Sequence, residues 1–191
     1  MTKFFKIICY LNLIYLGGCV ATVVTVAAVT TIDVAHDRRT IGEYIDDQTI
    51  EFTVRTFVVR NDELRKNAHI SATCMNGILL LTGEAPTAEL KNKVTGFAKD
   101  VDGVRQIVDE IRVVGETGYI SRTNDVWLTT KVKSVLFVKT KLDANRIKVV
   151  SEAGSVYLMG LVTRGEADKA TRITQQIGGV TQVVQVFEYK D

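Results

Sequence analysis

The sequence predicts an α+β fold built from two tandem copies of one unit, each with two helices packed on a three-stranded mixed sheet. Three observations support this. Similar stretches recur 78 positions apart, each copy has two alternating apolar runs joined by a glycine turn, and helical apolar spacing precedes and follows each pair of runs. The order helix, hairpin, helix, strand favours two layers, with both helices on one face of the sheet.

The first helix of each copy is predicted from apolar residues at i, i+4, i+7 and i+8 after an aspartate, Asp47 or Asp125. We expect each aspartate to be an N-cap, because its carboxylate can accept hydrogen bonds from the free N–H groups of the first turn. The apolar faces are Ile50, Val54, Phe57 and Val58 in the first copy and Leu128, Val132, Val135 and Leu136 in the second.

A hairpin is predicted after each first helix. In the first copy, strands over 70–74 and 78–82 meet at Asn76-Gly77. In the second, strands over 147–151 and 156–159 meet at Ala153-Gly154. Asn-Gly between apolar runs favours a type I′ turn, in which both central residues have positive φ.

A second helix and a last strand complete each copy. Each second helix is expected to end at a glycine, Gly103 or Gly179, that can adopt the left-handed conformation. Counted from Glu89 and Glu166 to these glycines, the helix of the first copy is predicted to be one residue longer. The apolar faces are Leu90, Val94, Phe97, Ala98 and Val101, then Ala167, Ala170, Thr174 and Ile177, and the last strands cover 104–113 and 180–187.

The N-terminal residues have the layout of a lipoprotein signal. Lys3 and Lys6 precede an apolar run, and Leu16-Gly17-Gly18-Cys19 closes it like a bacterial lipobox. We therefore expect a signal peptide over 1–18, with Cys19 as the lipid-modified N-terminus. One uncleaved membrane-spanning helix over 7–34 is the alternative, because that stretch is long enough to cross a bilayer.

The rest of the chain is predicted to contain a tether over 19–45, a first domain over 46–113, a linker over 114–121 and a second domain over 122–191. The linker contains two glycines in Gly115-Glu116-Thr117-Gly118, so limited hinge motion between the domains is expected.

Charge is distributed unevenly between the two copies. Residues 46–113 contain 9 Lys and Arg against 11 Asp and Glu, whereas residues 114–191 contain 11 against 8. The basic surplus of the second copy indicates an anionic partner such as a membrane surface. Nucleic acid is not expected, because an exported lipoprotein would not meet it. Cys74 is expected to be a buried structural thiol rather than a reactive one.

The first helix of the second copy is the candidate lipid-binding element. Alignment of the two first helices places Trp127 opposite Thr49 and Lys131 opposite Thr53. An aromatic ring beside ammonium groups is typical of a bilayer interface, where indole lies at headgroup level and lysine meets phosphate. The predicted lipid-binding residues are Trp127, Lys131, Lys133, Ser134, Phe137 and Val138. Alternatively, Trp127 packs against the linker or the first domain.

Catalysis is not expected, nor is a metal or any other cofactor. Neither His36 nor His69 lies in a motif that offers a nucleophile and base or a metal site, and the glycines lie at turns rather than in a phosphate-binding loop. A protein-binding adaptor is the alternative function, because a sheet edge can accept an added strand.

The double αββαβ pattern resembles the BON domain family. The resemblance is most specific at Asn124-Asp125-Val126-Trp127-Leu128-Thr129-Thr130-Lys131-Val132-Lys133 and at Val156-Tyr157-Leu158-Met159-Gly160-Leu161-Val162-Thr163. Signal, tether and two such domains together resemble dual-BON outer-membrane lipoproteins. The resemblance implies a location on the periplasmic face of the outer membrane, with enrichment at the division site. It also implies binding of anionic phospholipid (phosphatidylglycerol or cardiolipin) by the second domain, a role in envelope integrity and a link to the outer-membrane assembly machinery.

Overall fold

The computed structural model describes residues 39–114 (domain 1) and residues 122–140 and 146–190 (domain 2), with the backbone alone at 122–124 and 140. Cys19, the tether as far as residue 38 and residues 115–121 of the linker lie outside the described residues. So does the whole stretch 7–34 considered as a membrane span. No helix within the described ranges is long and apolar enough to cross a membrane.

Each domain contains the predicted elements, and domain 1 has one extra short helix. Domain 1 consists of α1 (Ile41–Arg60), α2 (Asp62–Asn67), β1 (His69–Met75), β2 (Ile78–Ala85), α3 (Ala88–Lys99) and β3 (Gln106–Val113). Domain 2 consists of α4 (Arg122–Thr140), β4 (Lys148–Glu152), β5 (Ser155–Val162), α5 (Arg164–Gln175) and β6 (Gln182–Tyr189).

Both sheets have the same topology. In domain 1, β2 is central, antiparallel to β1 and parallel to β3. In domain 2, β5 is central, antiparallel to β4 and parallel to β6. The predicted α+β fold, two helices on a three-stranded mixed sheet in each unit, is therefore confirmed.

The two aspartates lie inside their helices, so the prediction that they are N-caps is wrong. Helix α1 begins well before Asp47 and is capped by Thr40, whose hydroxyl and backbone N–H pair with Glu43 in a capping box. Helix α4 also begins before Asp125. The helical apolar spacing continues upstream of both aspartates only weakly, so the pattern alone places the helix start too late.

Each of these aspartates ties its helix to the hairpin turn. The carboxylate of Asp47 is 1% exposed and accepts hydrogen bonds from both backbone N–H groups of Asn76-Gly77, at 2.7 and 2.8 Å. The carboxylate of Asp125 accepts from both N–H groups of Ala153-Gly154, at 3.0 and 3.2 Å. These turns expose two adjacent N–H groups because all four turn residues have positive φ, between 50° and 80°, as the type I′ prediction requires.

The second helices, α3 and α5, have 12 residues each, so the prediction of a longer helix in domain 1 is wrong. The counts from Glu89 and Glu166 differ by one because Glu89 is the second residue of α3, whereas Glu166 is the third residue of α5. Both helices also end four residues before the predicted glycines, Gly103 and Gly179, which lie in the following turn with φ of 87° and 102°.

The helices of each domain pack on one face of their sheet. In domain 1, Leu79 and Leu81 of β2 lie in this core, and the rings of Phe57 and Phe97 stack above it at 3.9 Å between centroids. In domain 2, the core includes Leu158 of β5 together with side chains of α4 and α5.

The opposite faces of the two sheets pack against each other. Ile78 and Leu80 of domain 1 share one buried cluster with Tyr157, Met159 and Val186 of domain 2. Each sheet therefore has its own helices on one face and the other sheet on its second face. The domains consequently form four layers in the order helices, sheet, sheet, helices, with the two helix layers on opposite outer sides. This packing is absent from the sequence-based expectation, which gives only a linker with limited hinge motion.

Polar contacts border this seam between the domains. The Nζ of Lys148 lies 2.5 Å from a carboxylate oxygen of Glu51, and a guanidinium nitrogen of Arg105 lies 2.8 Å from a carboxylate oxygen of Glu188. Within the seam, burial raises the pKa of Tyr157 to about 12, and the nearby charge of Glu110 adds to the effect.

Candidate functional site: the outward face of helix α4

The buried face of α4 determines which of its side chains reach solvent. Leu128 and Val132 are fully buried and Leu136 is nearly so, all in the core of domain 2. Because consecutive residues of a helix are about 100° apart, the opposite arc runs through Val126, Thr130, Ser134 and their neighbours. Three of the four predicted core positions of this helix are therefore confirmed as buried, and the fourth, Val135, is partly buried against the same core.

Four large apolar side chains lie exposed on that opposite arc. Val126 is 69% exposed, Trp127 55%, Phe137 60% and Val138 74%. They form two adjacent pairs 11 positions apart, which is three helical turns or about 16 Å. Large apolar side chains gathered on one outer helix face indicate a surface that is covered by a membrane or by another molecule.

Lys131 holds the indole of Trp127 in place. Its Nζ lies 4.5 Å from the centroid of the ring and donates a hydrogen bond to the backbone carbonyl of Gly178 at 2.8 Å. The ring also lies beside Gly179, where a Cβ added to the glycine would be 3.9 Å from the nearest ring atom. Within the described residues, the ring thus neighbours its own domain, and more than half of it stays open to solvent.

Polar and cationic side chains surround the exposed apolar pairs. Lys133 and Lys139 are exposed. Ser134 lies between the two pairs, and its hydroxyl donates to the carbonyl of Thr130 at 2.9 Å, so it is already bonded within the helix. The carboxylate of Asp125 is turned toward the hairpin, so among the described side chains of α4 the outward arc has no carboxylate.

The structure places all six predicted lipid-binding residues on the outward side of one helix, but these residues differ in exposure and in the contacts they already make. Trp127, Phe137 and Val138 are exposed apolar groups, Lys133 is an exposed cation, and Lys131 is engaged with the ring and a carbonyl. Sequence reasoning missed Val126, although it precedes Phe137 by the same three turns that separate Trp127 from Val138.

The equivalent helix α1 has a different outward face. The shared buried positions place Thr49 where α4 has Trp127 and Thr53 where α4 has Lys131, as the alignment predicts. Instead, α1 exposes its own apolar residues, which sequence reasoning did not single out: Ile41 at 65%, Ile45 at 57%, Phe52 at 70% and Val59 at 54%.

Cys74 is not placed as a reactive thiol. Cys74 is fully buried, and its thiol donates to the carboxylate of Asp47 at 3.1 Å. Burial, together with the charges of Asp47 and Glu51, raises the pKa of the Cys74 thiol far above its usual range, so the thiolate nucleophile does not form. The expected buried structural thiol is therefore observed. Among the described residues, no three His, Cys, Asp or Glu side chains are grouped as metal ligands.

Both repeats match one known protein family. The family model of the BON domain matches residues 46–115 and 124–191, so one match falls on each domain. The chain belongs to the BON domain family. The resemblance inferred from the sequence is thereby confirmed for both repeats.

Relatives extend this similarity to the whole chain. The outer membrane lipoprotein DolP of Haemophilus influenzae is 40% identical over 178 residues, covering 93% of this chain and 92% of that protein. The 21 kDa hemolysin of Actinobacillus pleuropneumoniae is 32% identical over 153 residues, covering 80% of this chain and 79% of that protein. The chain is thus similar to an outer-membrane lipoprotein along most of its length, including part of the N-terminal region.

Among solved structures, the C-terminal domain of CdsD, a structural protein of the type III secretion system of Chlamydia trachomatis, overlaps 76% of this chain and 67% of its own. The TM-score is 0.30 and the identity 16%. A likeness this distant bears on neither the fold nor the function.

Proposed function

We propose that this BON-family protein is an outer-membrane lipoprotein, anchored at Cys19 and facing the periplasm, that binds anionic phospholipid through the outward face of α4 and so supports envelope integrity. The observation that carries the proposal is the exposure of Val126, Trp127, Phe137 and Val138 on one arc of α4, bordered by lysines and free of carboxylates among the described side chains. Similarity to DolP supports the compartment and the anchor.

The chemistry of this face suits the headgroup region of a bilayer. Trp127 presents an apolar ring with one N–H donor, a combination that favours the boundary between acyl chains and headgroups. Phe137 and Val138, about 16 Å along the helix, would enter the same boundary and hold the helix parallel to the surface. Exposed Lys133 and Lys139 would meet lipid phosphates, each contributing about 1 kcal/mol on an anionic surface.

The contact between Lys131 and Trp127 supports presentation of the ring. The ammonium group approaches the ring at 4.5 Å while bonded to the carbonyl of Gly178, so it restricts the rotation of the indole without covering its outer part. A side chain that is already ordered loses less entropy on insertion. Lys131 therefore acts in this proposal mainly as a positioning residue.

In this proposal the α4 face determines which lipid the protein prefers, whereas the lipid anchor only holds the protein on the membrane. Several acyl chains on Cys19 would hold the protein to the membrane without help, because two lipid signals already give stable anchoring. The α4 face would instead concentrate the anchored protein where anionic lipid is abundant. Enrichment at the division site and a link to outer-membrane assembly belong to this proposal as consequences to be tested in cells.

The fluorescence of Trp127 tests the proposal, because it is the only tryptophan of the chain. A chain starting at Val20 retains every described residue and can be titrated with vesicles. We expect a blue shift of emission with phosphatidylglycerol vesicles, none with phosphatidylcholine, and a weaker response as salt rises. Trp127→Glu should abolish cosedimentation through this face, whereas Asn92→Glu, a change at an exposed position of α3, should not.

Equal binding to both vesicle types, or an unshifted emission maximum at saturating anionic lipid, would contradict lipid recognition by α4. Localisation in cells gives a second readout. If Trp127→Glu leaves both vesicle binding and localisation unchanged, the adaptor function is favoured.

The open edge of β1 is the observation that supports an adaptor as second candidate. In the β1–β2 register, the N–H and C=O of Ile70 and Ala72 point away from β2, in the same direction as the N–H of Cys74, which bonds to Glu51. No strand of the described residues pairs with that edge. A groove of about 490 Å³ runs beside it, with Phe52 in its wall. An extended peptide of an assembly factor could add there as a fourth strand.

A further inference from the structure

Helix α1 of domain 1 has a second exposed apolar surface, on the helix that lacks the tryptophan. Ile41, Ile45, Phe52 and Val59 are each between 54% and 70% exposed. At about 100° per residue these four positions fall within 40° of one another, and 18 residues of helix span about 27 Å. They form a straight line of apolar side chains, which we call the α1 stripe.

The charges beside the α1 stripe are positive. Arg55 lies about 60° to one side of the line and Arg60 about 80–100° to the other, and both are exposed. Two carboxylates of the helix are turned away, since Asp47 binds the hairpin turn and Glu51 binds Lys148. A third, the exposed Asp46, lies about 100° from Ile45 and lines a groove with Gly103 and Arg105. Gln48 and the threonines Thr49, Thr53 and Thr56 occupy the remaining outward positions. Like the α4 face, this surface combines apolar side chains, hydroxyls and cations.

A second copy of the chain is a poor occupant of this stripe. A stable interface buries about 800 Å² on each partner. A fully covered phenylalanine contributes only roughly 150–250 Å², and the other three side chains are smaller. The stripe would therefore bury too little area alone.

A bilayer can cover the stripe without a complementary protein surface, and the lipid anchor places a bilayer close to it. The stripe begins at Ile41, only 22 positions after Cys19, the anchoring residue of the proposed function on which this step rests. Even a fully extended segment of that length spans at most about 70–80 Å, so the anchor keeps the stripe near the bilayer. The guanidinium groups of Arg55 and Arg60 complement anionic headgroups, and the neighbouring threonine hydroxyls can bond to them.

We infer that the α1 stripe is a second membrane-binding surface, which takes the same anionic bilayer as the α4 face but in a different orientation of the protein. The two helix layers lie on opposite outer sides of the packed sheets, so one flat bilayer can contact either helix but not both. The anchored protein therefore has two alternative bound orientations, one with domain 1 and one with domain 2 against the lipid.

Competition between the two surfaces follows from this geometry. Both surfaces are attached to one anchor, so their competition is intramolecular and is decided by their relative affinities. Loss of the α4 face should turn the protein over onto domain 1 rather than release it into solution. Engagement of the α1 stripe would also place the β1 edge, which lies beside Phe52, close to the membrane surface.

A single-tryptophan variant tests this inference separately from the α4 proposal. In the chain starting at Val20, Trp127→Glu disables the α4 face and removes the native fluorophore, and Phe52→Trp then places the only tryptophan on the stripe. We expect the emission of this double variant to shift to the blue with phosphatidylglycerol vesicles but not with phosphatidylcholine. Adding Asn92→Trp to Trp127→Glu instead gives the matched control on α3, which should not shift.

Each outcome decides between the surfaces. If the Phe52→Trp, Trp127→Glu variant shows no shift at millimolar phosphatidylglycerol while the wild type shows a normal one, this inference alone is overturned. A shift in that variant without one in the wild type overturns the α4 proposal alone. A shift that depends on protein concentration without vesicles replaces the bilayer with a second copy. Phe52→Glu in the Trp127→Glu background should lower the remaining vesicle affinity about tenfold.

Discussion

The first helices of the two domains occupy the same place in the same fold and differ almost entirely on their outer sides. Inward, Ile50 and Val54 of α1 correspond to Leu128 and Val132 of α4, and all four are buried. Outward, α4 carries two apolar pairs at its ends and an indole held by a lysine, whereas α1 carries one straight apolar line flanked by arginines.

This difference separates what the fold requires from what a partner requires. The buried side of each helix must fill the space above a three-stranded sheet, so its residue types are restricted to apolar groups of similar size. The outer side has no such requirement, and large apolar residues there reduce solubility unless something covers them. Function in this protein is therefore expected on the outer faces of α1 and α4.

Substitution of the glycines in the central strands, Gly83 and Gly160, is expected to give the largest difference in stability between the two domains. Gly83 has a φ of 116°, and a Cβ built there would lie 1.9 Å from the carbonyl oxygen of His69 on the neighbouring strand. Gly160, its counterpart, has no left-handed φ, and its Cβ would lie 2.5 Å from the carbonyl oxygen of Arg146. We expect Gly83→Ala to lower the free energy of unfolding by roughly 3–5 kcal/mol and Gly160→Ala by roughly 1–3 kcal/mol.

Urea unfolding followed by circular dichroism measures both losses, and Trp127 emission reports domain 2 separately. Gly96→Ala is the matched control, since a Cβ on this α3 glycine meets nothing within 4 Å, and it should leave stability unchanged or raise it by up to about 1 kcal/mol. Equal losses at Gly83 and Gly160 would show that the steric environment at these two positions is the same.

The aspartates that bind the hairpin turns give the next largest difference. Asp47 is almost fully buried and has the Arg39 guanidinium and the Cys74 thiol as partners besides the turn, whereas Asp125 is partly exposed and has only the two N–H bonds of its turn among those described. We expect Asp47→Asn to cost about 3 kcal/mol and Asp125→Asn about 1 kcal/mol, measured by urea unfolding at pH 7. A larger loss at Asp125 would contradict this order.

The pH dependence of Asp47 sharpens that test. Burial alone raises the pKa of its carboxyl, but hydrogen bonds from Gly77, Cys74, Asn76 and Arg39 outweigh burial and hold the pKa below its usual value of 3.8. The folded state therefore binds this proton more weakly than the unfolded state. The stabilisation is complete above about pH 4–5 and is lost as pH falls below about 4. The gap between wild type and Asp47→Asn should narrow over that acidic range.

The sequence predicts the fold well because the fold depends on local signals. Apolar spacing identifies the helices, Asn76-Gly77 identifies the first turn, and the repeat reinforces each assignment. The N-caps were wrong because an aspartate before an apolar face has the same appearance whether it binds the helix start or a turn distant in the chain. Only the three-dimensional structure shows that Asp47 reaches a turn about 30 positions away.

The outward position of the α4 residues could be predicted for a related reason. The ring and the lysines of α4 form a local pattern, so the sequence alone singles out Trp127 as a candidate; its role in lipid binding stays a prediction. The α1 stripe and the sheet–sheet seam were missed because each becomes visible only when both sides of an element are assigned. The continuous apolar run of β2, from Ile78 to Leu81, could have indicated the seam, since a strand covered on both faces has no polar alternation.

The charged pairs at the seam should contribute least to stability and distinguish packing from electrostatics as the source of domain contact. The carboxylate of Glu188 pairs with a guanidinium nitrogen of Arg105 at 2.8 Å and accepts a hydrogen bond from the side-chain amide of Asn76. The side chain of Arg105 is about half exposed. We expect Glu188→Gln to cost under about 1 kcal/mol at low salt and almost nothing at about 1 M salt, because exposed pairs are weak and screened. Urea unfolding at both salt concentrations measures this, with Lys93→Gln, which removes a pair with Glu63 inside domain 1, as control. A loss above about 2 kcal/mol that persists in high salt would mean that the pair, and not the cluster around Leu80 and Met159, joins the domains.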